Sequence, residues 1–196
     1  MTTPVVEAAL DQLFRSGRTY SKFLDRAVPD DLLRQAWDLA RMGPTAANSQ
    51  PMRVVFVRSP EAKARLKPAL AAGNVDKTMA APVTAIVGTD MEFYDQLPKT
   101  FPQVDARSWY AGNAALIAET AFRNSSLQGG YLVLALRALG LDCGPMSGFN
   151  AAKVEEAFFA GTSIKANFLI NIGYGDASGL HARNPRLDFD EACVIA

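Results

Sequence analysis

The stretch Gly43-Pro44-Thr45-Ala46-Ala47-Asn48-Ser49-Gln50-Pro51-Met52 joins a predicted helix to a predicted strand. Pro44 and Pro51 stiffen it, because the proline ring fixes the backbone angle φ. Between the prolines lie small residues and three uncharged polar side chains, Thr45, Asn48 and Gln50. A stiff, hydrogen-bonding, uncharged loop suits a neutral planar ligand better than a metal or a phosphate. Taken alone, however, the stretch is also explained as an ordinary connection between a helix and a strand.

The predicted elements on either side of this loop alternate between helices and strands. Helical patterns cover Val5–Phe14, Pro29 to the stop at Gly43, Ser59 to about Leu70, Ala111–Leu139 and Ala151–Phe159. Strand patterns cover Arg53–Arg58, Pro82–Thr89 and Lys165–Gly173, with a strand or turn at Leu141–Met146 and an irregular tail until Phe189–Ile195. No repeat or linker interrupts this order. We therefore expect one domain over residues 1–196, of the α+β or the three-layer α/β class.

The pattern over Ala111–Leu139 predicts a helix roughly 45 Å long at 1.5 Å per residue. Its second half, Leu127–Leu139, is apolar on almost every side apart from Gln128 and Arg137. A helix that is apolar all round is buried on every side. Because a chain of 196 residues has difficulty enclosing such a helix alone, we predict a subunit interface there.

Composition excludes several classes of function. The 20 basic and 20 acidic side chains cancel, so no net field attracts nucleic acid or an anionic membrane. Neither a signal segment nor a membrane span is expected from the apolar patterning. Two distant cysteines, Cys143 and Cys193, favour a reducing cytoplasm. The single histidine and the lack of a Cys-x-x-Cys pair predict no metal site. Ser147 stands one position away from the Gly-x-Ser-x-Gly elbow of a serine hydrolase.

Several short motifs carry groups that could bind a ligand. Arg15-Ser16-Gly17-Arg18-Thr19 combines two guanidiniums with two hydroxyls, a set that can cradle a phosphate. A second basic cluster, His181–Arg186, lies in the tail, and for either cluster the alternative is solvated surface charge. The turn Gly144–Phe149 lets backbone N–H groups approach a ligand closely. Asn74-Val75-Asp76-Lys77 adds an amide and an ammonium, with an Asx turn and an exposed lysine as the alternatives.

Taken in order, these motifs resemble the flavin-dependent nitroreductase family over nearly the whole chain. The matching stretches are Arg15–Arg18, Pro44–Pro51, Asn74-x-x-Lys77, Gly140–Phe149 and Arg183-Asn184-Pro185. The resemblance is greatest to the branch that contains the malonic semialdehyde reductase of the bacterial Rut pyrimidine-degradation pathway. The stretches typical of that branch are Asp76–Pro82, Asp105–Trp109 and Phe122–Gly129.

This resemblance implies a three-layer α/β/α domain of the α+β class with a mainly antiparallel sheet and a long central interface helix. It implies a homodimer that binds two FMN molecules at the interface, each contacted by both chains. The phosphate would be held by Arg15, Ser16, Arg18 and Arg183. The polar edge of the isoalloxazine would meet Asn74 and Lys77. The partner subunit would contribute Pro44, Thr45, Ala46 and Asn48, and the ring would lie against Pro145, Met146, Ser147 and Gly148.

The activity implied by the resemblance is flavin-mediated hydride transfer with ping-pong kinetics, because NADH or NADPH and the acceptor use one pocket in turn. Catalysis would need no protein nucleophile, and Lys77 would support reduced flavin electrostatically. The segment Asp90–Tyr110 is the candidate lid, and its aromatics Phe101, Trp109 and Tyr110 are the expected substrate contacts. The alternative is that these rings fill a hydrophobic seam.

The resemblance further implies reduction of malonic semialdehyde to 3-hydroxypropionate in pyrimidine degradation. A general nitro, quinone or enone reductase of the same fold is an alternative, because fold does not determine substrate. A flavin-binding module without catalysis and a flavin-free α/β domain are the others. The preference between NADH and NADPH stays open, since no segment forms a separate site for a 2′-phosphate.

Overall fold

Four strands form the central sheet of this chain, whose computed structural model describes residues 3–196. They are β1 (Met52–Val57), β2 (Val83–Asp90), β3 (Asp142–Met146) and β4 (Ile164–Gly173). Their spatial order is β1-β2-β4-β3, and every neighbouring pair is antiparallel. Strand β2 is buried along its whole length, which explains its continuous apolar run. The predicted α+β class with a mainly antiparallel sheet is confirmed.

Eight α-helices surround this sheet in the described part of the chain. They are α1 (Glu7–Leu10), α2 (Asp30–Ala40), α3 (Pro60–Leu66), α4 (Ala72–Ala80), α5 (Leu97–Thr100), α6 (Ala114–Ala138), α7 (Ala151–Phe158) and α8 (Phe189–Ala192). Local signals in the sequence set several of their ends. The Ser59 hydroxyl accepts a hydrogen bond from the Ala62 N–H at the start of α3, and the Asn113 amide oxygen accepts one from the Leu116 N–H at the start of α6.

Two apolar clusters lie on opposite faces of the sheet and make the domain three-layered. On one face α2 and α6 cover alternate residues of β2 and β4, with Leu33, Leu132 and Ile170 among the buried contacts. On the other face α3 and α7 cover the intervening positions, including Ile86 and Leu169. The alternation follows from the two-residue period of a strand.

Long helix α6 is present as predicted, but its apolar second half is covered on one side only. Leu132 and Leu136 are fully buried against the sheet. Leu127 and Tyr131 stay 44% and 37% exposed. The described chain therefore leaves a side of α6 uncovered, and the predicted subunit interface stays a prediction.

Other differences from the predicted elements lie at their ends and in the connections. Helix α4 occupies a segment for which a polar turn was the simple expectation. The first helix breaks into a wider π-type turn over Asp11–Arg15. The segment expected to be irregular contains short helical turns at Phe93–Gln96 and Ala106–Trp109 around α5. Residues 3–196 include no helix with the length and apolar character to cross a membrane.

Candidate functional site

A basic cavity of about 600 Å³ lies where the chain after α1, the C-terminal part of α6 and the tail meet. Its charged lining residues are Arg18, Arg137, His181, Arg183 and Arg186. None of its four arginines forms an ion pair within the described residues. A cluster of guanidiniums without carboxylates has the chemistry of an anion site, and planar guanidinium donors match phosphate oxygens.

Backbone carbonyls hold three of these guanidiniums in place. Arg18 donates to the His181 carbonyl at 2.5 Å, and Arg183 donates to the carbonyls of Arg15 at 2.7 Å and Gly17 at 3.1 Å. Arg137 donates to the Leu13 carbonyl at 3.0 Å. Each guanidinium has five N–H donors, so these bonds orient it and leave other donors for a ligand.

Gly17 allows the close packing of this cavity. A Cβ atom at that position would lie 2.8 Å from the guanidinium carbon of Arg137, well inside contact distance. The site therefore requires glycine beside Arg137. The charge of Arg137 in an otherwise apolar half of α6 is the sequence signal that could have identified this residue as part of the site.

Arg15 and Ser16 were predicted to share the phosphate with Arg18 and Arg183, but they are absent from the cavity lining. Arg15 pairs with Glu7 at 2.6 Å and with Asp11 at 3.0 Å. These two hydrogen bonds raise the pKa of Arg15 above its ordinary value. The structure thus brings Arg18 and Arg183 together and directs the Arg15 guanidinium to carboxylates of its own helical turn.

The second part of the site brings together two motifs that are far apart in the sequence. The Asn74 side-chain amide donates to the Gly148 carbonyl at 2.8 Å, and the Ala71 N–H donates to the same oxygen at 3.0 Å. A Cβ at Gly148 would lie 2.4 Å from the Asn74 amide nitrogen. Helix α4 and the turn after β3 are therefore in contact at their polar groups. Pro145 and Ser147 remain exposed beside them.

Strand β3 connects the two parts. The Tyr20 N–H donates to the Cys143 carbonyl at 3.1 Å, and Thr19 pairs with Cys143, so the chain after Arg18 runs beside β3. The turn at Gly148 lies five residues further along, roughly 15 Å at about 3.3 Å per residue. A ligand that reaches both parts is extended, with a phosphate at one end and a hydrogen-bonding edge at the other. FMN has this form.

The loop Pro44–Pro51 adopts an unusual backbone. Ala47, Asn48 and Gln50 have φ values of 48°, 49° and 44°, the left-handed region that side chains disfavour. Such residues persist where the surroundings determine them, often at functional sites. Helix α6 supplies that determination, because Asn124 accepts from the Ala46 N–H at 2.8 Å and Gln128 accepts from the Met52 N–H at 3.0 Å.

The polar side chains of this loop also bond within their own subunit. Thr45 accepts from the Gln50 N–H at 3.2 Å, and Asn48 donates to the Thr100 carbonyl at 2.7 Å. Pro44, Ala46 and Asn48 are nevertheless exposed. Buried Asn124 and Gln128 were not predicted as site residues, although a polar residue every four positions in an apolar helix was a usable signal.

The three aromatics of the candidate lid occupy different environments. Tyr110 is 6% exposed, with its ring 4.9 Å from that of Phe93 in a third apolar cluster. Trp109 is 50% exposed, and its ring lies 6.1 Å from that of Phe101. Tyr110 therefore fills a hydrophobic seam, whereas Trp109 presents its ring at the surface, where a substrate could reach it.

Solved structures of similar shape define the class of this protein as the nitroreductase fold. A provisionally named nitroreductase from Exiguobacterium sibiricum, solved in complex with FMN, matches with a TM-score of 0.86 and 22% identity over 100% of both chains. An enone reductase of gut-bacterial fatty acid saturation, CLA-ER, matches with a TM-score of 0.84 and 20% identity over 98% of this chain and 99% of its own.

Sequence comparison identifies the family. The Nitroreductase family model matches residues 15–174. A relative from Burkholderia lata is 65% identical over 98% of this chain and 99% of its own length. Another from Stutzerimonas stutzeri is 61% identical over 100% of both. Both are provisionally named NADH dehydrogenase/NAD(P)H nitroreductase. The chain therefore belongs to the Nitroreductase family.

Proposed function

We propose that this protein is an FMN-dependent NAD(P)H oxidoreductase. The observation that carries the proposal is the basic cavity, in which Arg18, Arg137 and Arg183 converge without a carboxylate to neutralise them. Their donors fit the phosphate of FMN. The family and the names of the relatives supply the redox chemistry. Bound FMN would provide hydride transfer between a nicotinamide and an organic acceptor, which amino-acid side chains do not perform.

The other end of the ligand would meet α4 and the turn after β3. Asn74 and Lys77 would bind the polar edge of the ring system, and Lys77 forms no ion pair within residues 3–196 that would reduce its charge. A cation held at that edge stabilises negative charge that develops there. The backbone N–H groups of Ser147 and Gly148 would lie against the ring, and the exposed surface beside them would admit substrate.

A homodimer is part of the proposal. Leu127 and Tyr131 on α6, together with Leu39 and Met42 at the end of α2, form an exposed apolar surface. Helices α2 and α6 pack together, so a second copy could cover both. In this arrangement the loop Pro44–Pro51 of one subunit would reach the FMN of the other. Its left-handed residues and its bonds to α6 would keep its shape across the interface.

The proposed acceptor is a small carbonyl compound, malonic semialdehyde, which would be reduced to 3-hydroxypropionate in pyrimidine degradation. Support comes from the motifs Asp76–Pro82, Asp105–Trp109 and Phe122–Gly129. The second candidate is a nitro or quinone compound, which the provisional names of relatives that are 59% to 65% identical favour. Both candidates require the same FMN site.

The experiment is an anaerobic half-reaction series. Protein saturated with FMN is reduced with NADH or with NADPH, and reoxidation is followed with malonic semialdehyde, a nitroaromatic, a quinone and an enone. We expect a yellow protein that is bleached by a nicotinamide and reoxidised fastest by the semialdehyde. Faster reoxidation by the nitroaromatic or the quinone would assign the second candidate. A yellow protein that neither nicotinamide bleaches would indicate a flavin-binding module, and a colourless protein that takes up no FMN would overturn the proposal.

A further inference from the structure

Lys63 of α3 is a buried lysine without a carboxylate partner in the part of the chain that the structure describes. Its exposure is 8%, and it forms no ion pair among residues 3–196. Burial of an ammonium group is unfavourable, and here it lowers the pKa of Lys63 below its ordinary value. Such a group is retained when its donors perform a task that a shorter or apolar side chain cannot.

The Lys63 ammonium donates to three backbone carbonyls at the end of α4. It lies 3.2 Å from the Thr78 oxygen and 3.0 Å from the Met79 oxygen, and it also bonds to the Ala81 oxygen. The last carbonyls of a helix have no partner within the helix, and the negative end of the helix dipole favours a cation. Lys63 therefore caps α4 from a neighbouring helix.

Helix α4 needs this attachment because it has almost no apolar anchor. Thr78 is its only buried residue. The Thr78 hydroxyl accepts from the Asn171 amide at 3.2 Å, which ties the helix to β4. Both buried attachments, at Thr78 and at Lys63, are polar. They lie in the same turn as Lys77, and Asn74 is one turn earlier.

We propose that Lys63 is a positioning residue that sets the placement of Asn74 and Lys77 at the polar edge of the bound flavin. The proposal rests on the proposed FMN-dependent function. Lys63 touches neither of these side chains and would act through the backbone of α4. Loss of the cap would release the end of α4, weaken the bond from Asn74 to Gly148, and move the Lys77 charge. Because that charge stabilises reduced flavin, the flavin midpoint potential would report its position.

The test compares K63M, K77M and the double variant with wild-type protein saturated with FMN. Methionine keeps an unbranched stem and removes the three N–H donors. We expect K63M to bind FMN about tenfold more weakly and to lower the midpoint potential in the same direction as K77M. The double variant should have the potential of K77M alone, since a residue that acts only through Lys77 adds nothing once Lys77 is gone. K67M, at an exposed lysine just after α3, is the matched control and should equal wild type.

Two other outcomes would be decisive. A normal potential in K63M, with a shifted one in K77M, would overturn the role of Lys63 and leave the proposed function intact. Additive shifts in the double variant would also overturn it, because Lys63 would then act on the flavin by its own route. Wild-type protein that takes up no FMN would instead overturn the proposed function itself. If K63M does not fold, K63Q decides, since its shorter amide cannot reach all three carbonyls; an unchanged potential in K63Q would overturn the proposal.

Discussion

Arg15 and Arg18 are three positions apart and have different surroundings. Arg18 lines the basic cavity, whereas Arg15 pairs with Glu7 and Asp11. We therefore expect R18Q to weaken FMN binding by about 10- to 100-fold, the effect of losing a hydrogen bond to a charged group. R15Q should change it by less than about threefold, because its charge is spent on an exposed pair. Titration of the apoprotein with FMN, followed by fluorescence, measures both. Equal losses would contradict the assignment.

The two cysteines also differ in reactivity. Burial raises the pKa of the Cys143 thiol from 9.0 to about 12, whereas Cys193 is exposed. We expect a thiol reagent at pH 8 to modify Cys193 alone in native protein and both residues in denaturant.

The raised pKa of Cys143 also has a consequence for stability. Because the unfolded thiol loses its proton first as the pH rises, the free energy of unfolding should fall between about pH 9 and pH 12. This group alone contributes a slope of about 1.4 kcal/mol per pH unit. C143A removes the group and should show a shallower slope in denaturant titrations across that range. Parallel slopes for the two proteins would contradict the pKa shift.

Contact between α6 and the sheet depends on a glycine. A Cβ at Gly129 would lie 2.3 Å from the ring of Phe168 on β4. G129A should therefore lower the free energy of unfolding by about 1–3 kcal/mol, the usual range for overpacking. Gly73 of α4 has nothing within 4 Å of a Cβ, so G73A should raise stability by up to about 1 kcal/mol through helix propensity. Urea denaturation distinguishes the two. A stable G129A would mean that Phe168 has room to move.

Elements with a strong local pattern were predictable from the sequence. The run Lys165–Gly173 has apolar and branched residues that fit only a strand, and its observed bounds, Ile164–Gly173, differ by one residue. Helix α4 was not predictable in the same way. Its only buried residue is Thr78, and it is held by a lysine on another helix, so no apolar stripe marks it. Patterns report burial against a core, and α4 has polar attachments instead.

The site was predictable to the extent that its residues lie in compact motifs. Arg18, Arg183, Asn74 and Gly148 were identified from short sequence motifs, and the structure places them in two groups joined by β3. Arg137, Asn124 and Lys63 were not identified as site residues. Each acts on a segment that is distant in sequence, for example through the bond from Ala46 to Asn124 across 78 positions. Such pairings depend on tertiary structure and leave no local pattern.

At the scale of the whole molecule, the uncovered side of α6 predicts association. Introducing charge at Leu127 and Tyr131 in the double variant L127E/Y131E should convert a dimer into a monomer, because paired carboxylates cannot be buried cheaply in an apolar interface. FMN affinity should fall at the same time if both chains contact the cofactor. Light scattering coupled to size-exclusion chromatography measures the first effect, and FMN titration measures the second.

A matched control makes that result specific. Ala64 is exposed on α3, which packs on the opposite face of the sheet from α6. A64E should therefore leave both the mass and the FMN affinity unchanged. Wild-type protein that elutes as a monomer while binding FMN tightly would contradict the proposed interface. Monomers of L127E/Y131E with normal FMN affinity would retain the interface but remove the contribution of the second chain to the site.

The attachment of the loop Pro44–Pro51 to α6 sets an order of events during synthesis. The loop leaves the ribosome well before Asn124 and Gln128, the two side chains that accept its N–H groups. Until α6 has emerged and docked, nothing holds Ala47, Asn48 and Gln50 in the left-handed region, and they relax to ordinary conformations. Cofactor capture is therefore the last step of maturation, after the chain is nearly complete. A nascent chain truncated before α6 would not yet be able to bind flavin.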